Sequence, residues 1–155
     1  MEEKLVSLLR DKKMTITTVE SCTGGMVASK IVNVSGASYV FNEGFITYAN
    51  SAKEKYAGVL AETLDMYGAV SSQVAMEMAE GAARKTGADV AVSVTGIAGP
   101  NGGTKEKPVG LVYIGCFVCG KTYYKECHFE GDRPEIREKS ANEAIKFATS
   151  LVEML

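Results

Sequence analysis

The stretch Thr17-Thr18-Val19-Glu20-Ser21-Cys22-Thr23-Gly24-Gly25 decides the fold of this chain. An alternating apolar run over residues 14–19 leads into it, and a helical pattern over residues 26–32 follows it. The stretch is therefore predicted to be a strand-to-helix turn, which places polar groups where open α/β sheets bind ligands. Its backbone N–H groups and the helix dipole would favour an anion there. A turn whose hydroxyls only cap a helix would contain the same residue types.

Length and composition indicate an ordinary globular protein. The chain has 155 residues, of which 46% are hydrophobic, so we expect a single domain over residues 1–155. A net charge of −2 without a Lys/Arg-rich run predicts no nucleic-acid partner. No apolar stretch reaches membrane-spanning length, and Met1-Glu2-Glu3-Lys4 does not begin a signal peptide. We therefore expect no membrane partner and a cytoplasmic location.

Hydrophobic periodicity and turn residues predict alternating helices and strands. The predicted helices cover residues 2–12, 24–33, 61–67, 72–85 and 134–154, and a further short helix follows residues 50 and 51. Asn50 or Ser51 is the expected N-cap of the short helix, and Ser71 is the expected N-cap of the helix over 72–85. The predicted strands cover residues 14–19, 39–41, 45–48, 89–94, 108–118 and 122–129, the last two joined in a hairpin at Gly120-Lys121. The expected fold class is α/β: one three-layer α/β/α domain with a mixed, mostly parallel sheet and one antiparallel hairpin.

The cysteines and the single histidine form a superficially zinc-like pattern. Cys116, Cys119, Cys127 and His128 follow one another closely, but they fall on or near predicted strands. Side chains one or three residues apart on a strand point to opposite faces, so four converging ligands are not expected. Buried structural thiols, without a bound metal, are the favoured interpretation.

Three further features are compatible with either a surface or a functional role. Lys53 lies in the first turn of a predicted helix, where the dipole disfavours a cation, so it is either solvated or wanted there with a lowered pKa. Arg133 and Arg137 stand at the start of the last helix, either as surface residues or as a pair that grips a phosphate or carboxylate. Residues 95–104 contain four glycines, typical of close ligand approach or of a mobile connection.

Six motifs occur in order along nearly the full chain: Glu20-Ser21-Cys22-Thr23-Gly24-Gly25, Thr47-Tyr48-Ala49-Asn50-Ser51-Ala52-Lys53, Gly68-Ala69-Val70-Ser71, Thr95-Gly96-Ile97-Ala98-Gly99-Pro100-x-Gly102-Gly103, Lys107-Pro108-Val109-Gly110 and Gly131-Asp132-Arg133. Together they resemble the C-terminal domain family of CinA proteins, which includes stand-alone nicotinamide-nucleotide amidases. The resemblance implies hydrolysis of nicotinamide mononucleotide to nicotinate mononucleotide and ammonia. It also implies a small-molecule nucleotide substrate, no metal or other cofactor, and a homo-oligomer.

The resemblance further implies a Ser/Lys mechanism, with Ser21 as nucleophile, Lys53 as its base and Tyr48 orienting the pyridine ring or the amine. The chemistry is coherent, because a lysine can activate a serine when burial keeps its amine neutral. Backbone N–H groups around residues 22–25 could hold the oxyanion. Cys22 is a less favoured alternative nucleophile because the sequence offers no nearby histidine, and Ser38 is a second alternative.

Substrate contacts carried over from the resemblance are Glu20, Cys22, Thr23, Gly24, Gly25, Ser38, Asn50, Thr95, Gly96, Gly99, Gly102, Gly103, Arg133 and Arg137. Thr95, the loop that follows it and one of the two arginines would bind the phosphate. The sequence departs from the family pattern at Ala49, where many relatives carry serine. A catalytically weak or inactive nucleotide-binding module is therefore the alternative function.

Overall fold

A computed structural model describes residues 1–155. In chain order the elements are α1 (Glu2–Lys12), β1 (Ile16–Glu20), α2 (Met26–Val32), a 3-10 helix (Ala37–Tyr39), β2 (Phe41–Ile46), α3 (Asn50–Ala57), α4 (Ala61–Tyr67), α5 (Ser72–Thr86), β3 (Val90–Gly96), β4 (Leu111–Val118), β5 (Lys121–His128) and α6 (Arg133–Glu153). None of the helices combines the length and the apolar character that crossing a lipid bilayer requires.

The five strands form one mixed sheet in the order β2-β1-β3-β4-β5. β1 pairs in parallel with β2 and β3, whereas β4 runs antiparallel to both of its neighbours. Four of the five strands therefore point in one direction. The predicted mixed, mostly parallel sheet with its hairpin is confirmed.

Helices cover both faces of the sheet. On one face, α1, α2 and α6 pack on a core that includes Ile31, Val94 and Ile145. On the other face, α3, α4 and α5 enclose a smaller core that includes Val19 and Met78. The three-layer architecture predicted from the order of helices and strands is confirmed, because each helix buries an apolar stripe on the sheet or on a neighbouring helix.

Some element boundaries differ from the sequence-based prediction. Of the predicted strand 39–41, Tyr39 ends the 3-10 helix and Phe41 begins β2. β2 extends through Gly44, but its pairing with β1 is irregular between Phe41 and Gly44, in agreement with the bend or bulge that Gly44 indicates in the sequence. The hairpin turn consists of Cys119 and Gly120 rather than Gly120-Lys121, and both turn residues have positive φ angles, +47° and +93°. A two-residue turn of this kind requires positive φ at both positions, which shifts the pairing by one residue.

The carboxyl ends of the three parallel strands meet at one edge of the sheet. Ser21 directly follows β1 and donates its backbone N–H to the Val94 carbonyl of β3 at 2.9 Å. Thr47 follows β2 and donates its backbone N–H to the Glu20 carbonyl at 2.8 Å. At this edge the chain passes from β1 to α2 on one face of the sheet and from β2 to α3 on the other face, which is the kind of position where open α/β sheets bind ligands.

Candidate active site

Glu20 anchors the turn after β1 from inside the protein. Its carboxylate is 1% exposed and accepts the backbone N–H groups of Gly25, Val27 and Ala28 at 3.2, 2.9 and 3.0 Å. It also accepts the Thr23 hydroxyl at 2.6 Å. The predicted substrate contact at Glu20 is therefore corrected: both carboxylate oxygens are occupied in capping α2, where a negative charge also suits the helix dipole.

Ser21 and Lys53 meet at the edge of the sheet. The Lys53 amine donates to Ser21 Oγ at 3.0 Å, to the Thr47 carbonyl at 2.8 Å and to the Tyr48 carbonyl at 3.3 Å. The lysine is 1% exposed, and no carboxylate forms a salt bridge with it. Burial lowers the pKa of Lys53 to about 8, with a small opposing effect of Cys22. Roughly a tenth of the amine is then neutral at pH 7, far more than for an exposed lysine.

The start of α3 places Lys53 against Ser21. The N-cap is Ala49, which has no side-chain acceptor, so the predicted cap at Asn50 or Ser51 is wrong. Asn50 is exposed on the first helical position, and its side chain makes no hydrogen bond within the chain. The backbone N–H of Lys53 bonds to the Ala49 carbonyl at 3.1 Å. The amine therefore lies beside a helix N-terminus that disfavours its protonated form.

The Cys22 side chain points into the core formed by α1, α2 and α6. It is 6% exposed, and burial raises the pKa of the Cys22 thiol to about 11. Thiolate is the nucleophilic form of cysteine, and this environment disfavours it. The hydroxyl that receives the Lys53 hydrogen bond belongs to Ser21, so the geometry favours serine over its neighbour as nucleophile.

Only two backbone N–H groups of the turn lack an acceptor within the chain. Gly24 donates to the Ser21 carbonyl at 3.1 Å, and Gly25 donates to Glu20. The N–H groups of Cys22 and Thr23 make no hydrogen bond. The predicted set of oxyanion donors in residues 22–25 is thereby narrowed to these two.

The two arginines of α6 have different partners. Arg137 donates Nε to the Cys22 carbonyl at 2.9 Å and one Nη to the Thr23 carbonyl at 3.1 Å. Arg133 is exposed and bridges the Gly99 carbonyl at 2.7 Å and the Tyr48 hydroxyl at 3.2 Å. The prediction left open which arginine binds substrate. The structure engages Arg137 with the turn and leaves Arg133 at the mouth of the site.

Tyr48 stands at that mouth with an exposed ring. Its side chain is 64% exposed, although its backbone carbonyl accepts from Lys53 below. The ring is therefore tied to the dyad through its backbone and to Arg133 through its hydroxyl. This position suits contact with a planar ring of a bound ligand.

The loop after β3 lies beside this cluster. Thr95 is buried, and its hydroxyl donates to the Ala69 carbonyl at 2.9 Å. The Thr95 hydroxyl proton is therefore already used in a hydrogen bond within the protein. Gly96 has no room for a side chain, because a Cβ there would lie 2.6 Å from Val112. These two residues shape the floor of the loop.

At the other three positions of the loop, glycine is favoured by different structural features. Gly99 presents its carbonyl to Arg133 and has a φ of +76°. Gly102 has a φ of +88° and open space around it, whereas a Cβ on Gly103 would lie 2.8 Å from the Val109 nitrogen. The loop is exposed from Pro100 to Glu106 and presents its backbone to solvent.

Ser38 does not join the site. It is exposed in the 3-10 helix before β2, and β2 begins with Phe41 paired to Ile16, the first residue of β1. Ser38 therefore lies near the amino ends of the parallel strands, whereas Ser21 lies past the carboxyl end of β1. The predicted substrate contact or alternative nucleophile at Ser38 is corrected for this reason.

The cysteines and histidine do not converge. Cys116 and Cys127 are buried in the core, and Cys119 is exposed in the hairpin turn. His128 contacts Glu126 at 3.2 Å on the exposed side of β5. No group of three or more His, Cys, Asp or Glu side chains in the chain is arranged to hold a metal ion.

The sequence profile of the CinA C-terminal domain matches residues 1–152. The chain belongs to this family. It is 57% identical over 147 residues to a CinA-like protein of Kosmotoga olearia, covering 95% of this chain and 36% of that protein. The chain thus spans about a third of the length of the curated relatives it matches.

Solved structures of CinA proteins share this fold. The competence/damage inducible protein CihA of Agrobacterium tumefaciens superposes with a TM-score of 0.92 at 41% identity, covering 97% of this chain and 94% of that one. A CinA superfamily protein of Escherichia coli gives a TM-score of 0.90 at 34% identity, with 98% and 90% covered. The names of the two solved structures refer to competence and damage, and none of the three names states a reaction.

Proposed function

We propose that this CinA-family chain is an amidase in which Ser21 is the nucleophile and Lys53 is the general base. The observation that carries the proposal is the 3.0 Å contact between Ser21 Oγ and a buried amine that has no carboxylate partner. An amine in such surroundings loses its proton more readily than an exposed one, and it can then accept the serine proton.

In the proposed reaction, Ser21 Oγ attacks the amide carbonyl carbon while its proton passes to Lys53 Nζ. The carbonyl oxygen becomes an oxyanion beside the free N–H group of Cys22, the residue next to the nucleophile. Collapse of this intermediate breaks the C–N bond, and Lys53 returns the proton to the leaving nitrogen, which departs as ammonia. Water then attacks the acyl ester with Lys53 again as base, which releases the carboxylic acid and restores Ser21.

The proposed substrate is nicotinamide mononucleotide. Family resemblance supports this choice, as does the arrangement at the mouth of the site. Arg133 bridges the Tyr48 hydroxyl and the Gly99 carbonyl of the glycine loop, and the Tyr48 carbonyl accepts from Lys53. A guanidinium and an aromatic ring are thus connected to the dyad. An aromatic ring suits the pyridine, and a guanidinium suits the phosphate.

Ammonia release from purified protein and nicotinamide mononucleotide tests the proposal. We expect turnover by the native chain and a loss of at least about a thousandfold in Ser21→Ala, since the nucleophile is removed. Ser29→Ala is the matched control, because Ser29 is exposed on α2 and its side chain makes no hydrogen bond. Equal ammonia release by native protein and Ser21→Ala would rule out the serine mechanism.

A nucleotide-binding module without turnover is the second candidate. Ala49 favours it, because the chain lacks a hydroxyl between Tyr48 and Asn50 where many relatives carry serine. Calorimetry with nicotinamide mononucleotide separates the two candidates. Binding without ammonia release would support the module, whereas ammonia release that depends on Ser21 would exclude it.

A further inference from the structure

The turn over residues 20–25 contains two backbone N–H groups that have no hydrogen-bond acceptor within the chain. Cys22 is 6% exposed and Thr23 is 0% exposed, yet neither N–H group has an acceptor within the chain. Buried N–H groups without acceptors are rare, because an unmade hydrogen bond is unfavourable. Every other N–H group from Ser21 to Ala28 does have an acceptor. The exception is therefore confined to the two peptides next to the nucleophile.

Both peptides are held by their carbonyl oxygens. The Ser21–Cys22 peptide accepts the Gly24 N–H at 3.1 Å, and the Cys22–Thr23 peptide accepts Arg137 Nε at 2.9 Å. A hydrogen bond to the carbonyl of a peptide fixes its plane and polarises its N–H group, which becomes a stronger donor. A charged donor such as guanidinium has the larger effect.

We propose that Arg137 is a positioning residue, which holds the Cys22 and Thr23 carbonyls and so fixes the turn in which the Cys22 N–H group stabilises the oxyanion formed beside Ser21. The inference rests on the proposed amidase function and deepens it. Two guanidinium nitrogens of Arg137 are engaged with the Cys22 and Thr23 carbonyls, so the residue acts through the turn. Substrate phosphate then falls to Arg133, which is exposed at the mouth of the site.

The two roles for an arginine predict different kinetics. Arg137→Met removes the guanidinium but keeps much of the aliphatic stem. If Arg137 positions the oxyanion donor, kcat falls about 10- to 100-fold and KM changes less than about twofold, since the lost interaction forms in the transition state. If Arg137 binds phosphate, KM rises instead.

A substrate without phosphate separates the roles more sharply. The kinetics are measured with nicotinamide mononucleotide and with nicotinamide riboside, the corresponding nucleoside. We expect Arg137→Met to lose the same factor in kcat on both substrates, and Arg133→Met to lose activity on the nucleotide only. Arg84→Met is the control, since Arg84 is exposed on α5 and makes no side-chain hydrogen bond. An Arg137→Met effect confined to the nucleotide would overturn the inference.

Arg137→Lys distinguishes a folding defect from a loss of positioning. Arg137→Lys keeps a cation that can reach one carbonyl, so we expect it to melt near the native temperature and to recover part of kcat. If the native chain releases no ammonia, the amidase proposal fails, and the inference is read from labelling of Ser21 by a fluorophosphonate. In that reaction Ser21 Oγ bonds to phosphorus, fluoride leaves and the proton passes to Lys53. Labelling that is about tenfold or more slower in Arg137→Met than in the native chain supports the inference. Equal labelling rates in the two proteins, or no labelling of the native chain, overturns it.

Discussion

Two turns that contain glycine lie side by side at one edge of the sheet and are stabilised in different ways. The turn over residues 20–25 is held by side chains, with Glu20 beneath it and Arg137 reaching it from α6. The loop over residues 96–104 is held mainly by backbone bonds, such as Ile97 N–H to the Leu111 carbonyl at 2.9 Å, and the exposed Arg133 is its one side-chain contact from α6. The first turn is largely buried, whereas the second is exposed over much of its length.

The difference matches what each turn would have to do in the proposed reaction. Groups that stabilise a transition state must be held in place before the substrate arrives, because reorganising them would raise the barrier. The buried Glu20 carboxylate and the partly buried Arg137 guanidinium anchor the first turn in this way. The glycine loop would meet the variable outer part of a nucleotide, for which exposed backbone is sufficient. The predictions below test whether rigidity and chemistry reside in the first turn alone.

The largest effect is expected on replacing the base. Lys53→Met keeps most of the length and volume of the side chain but removes the amine that contacts Ser21. We expect ammonia release to fall by about a thousandfold or more. Lys55→Met on the same helix is the control, because Lys55 is exposed and its side chain forms no hydrogen bond. If Lys53→Met released ammonia at a rate within tenfold of the native rate, a residue other than Lys53 would have to be the general base.

Removing the anchor of the first turn should have the next largest effect. Glu20→Ala leaves three backbone N–H groups and the Thr23 hydroxyl without their acceptor. We expect the free energy of unfolding in urea to fall by about 2–4 kcal/mol. Asn101→Ala in the glycine loop should change it by less than about 0.5 kcal/mol, since Asn101 is exposed. Similar losses for the two variants would contradict the proposed contrast between the turns.

The buried amine also predicts how the rate depends on pH. With a Lys53 pKa of about 8, the neutral base increases about tenfold per pH unit below that value and levels off above it. The profile of kcat/KM for ammonia release should follow this curve. Arg84→Met, remote from the site, should leave its midpoint unchanged. A rate that is flat between pH 6 and pH 9 would exclude Lys53 as the titrating base.

The same shift links stability to pH. The pKa of Lys53 is lowered from 10.5 to about 8 by burial, so between these values the unfolded chain binds more protons than the folded chain. Stability therefore rises with pH over this interval. Urea unfolding at pH 7.5 and pH 10 should show a gain for the native chain that is smaller in Lys53→Met. Equal gains in the two proteins would mean that the amine is not shifted.

The sequence allowed much of the fold to be predicted, because helix and strand periodicities are local properties. The segment 61–67 and the Ser71 cap of α5 agree with the structure. The predicted cap of α3 failed, since Asn50 and Ser51 are both good capping residues and yet the chain uses Ala49. Side-chain preference for a cap is weak when tertiary packing sets the start of a helix.

For the candidate site, the sequence indicated which residues lie there more readily than it indicated what each of them does. Ser21 and Lys53 come together as expected, but Glu20 turned out to be a buried cap. Nothing in the sequence shows that Arg137 would reach back 114 residues to the Thr23 carbonyl. Such contacts depend on how α6 crosses the sheet, which a residue pattern does not specify. A carboxylate just before the turn was the one available signal for a helix cap.

The smallest effect is expected when one glycine in each turn is replaced by alanine, which compares the two turns directly. Gly24 and Gly102 both have positive φ angles, +58° and +88°, so alanine at either should reduce the free energy of unfolding by about 1–2 kcal/mol. Their surroundings differ: a Cβ on Gly24 would lie 3.3 Å from an Arg137 Nη, whereas the nearest atom to one on Gly102 is 3.9 Å away. Gly24→Ala should therefore also displace the guanidinium and lower kcat severalfold, while Gly102→Ala leaves kcat unchanged. Equal kcat values in ammonia release would show that small displacements of Arg137 do not matter to the turn.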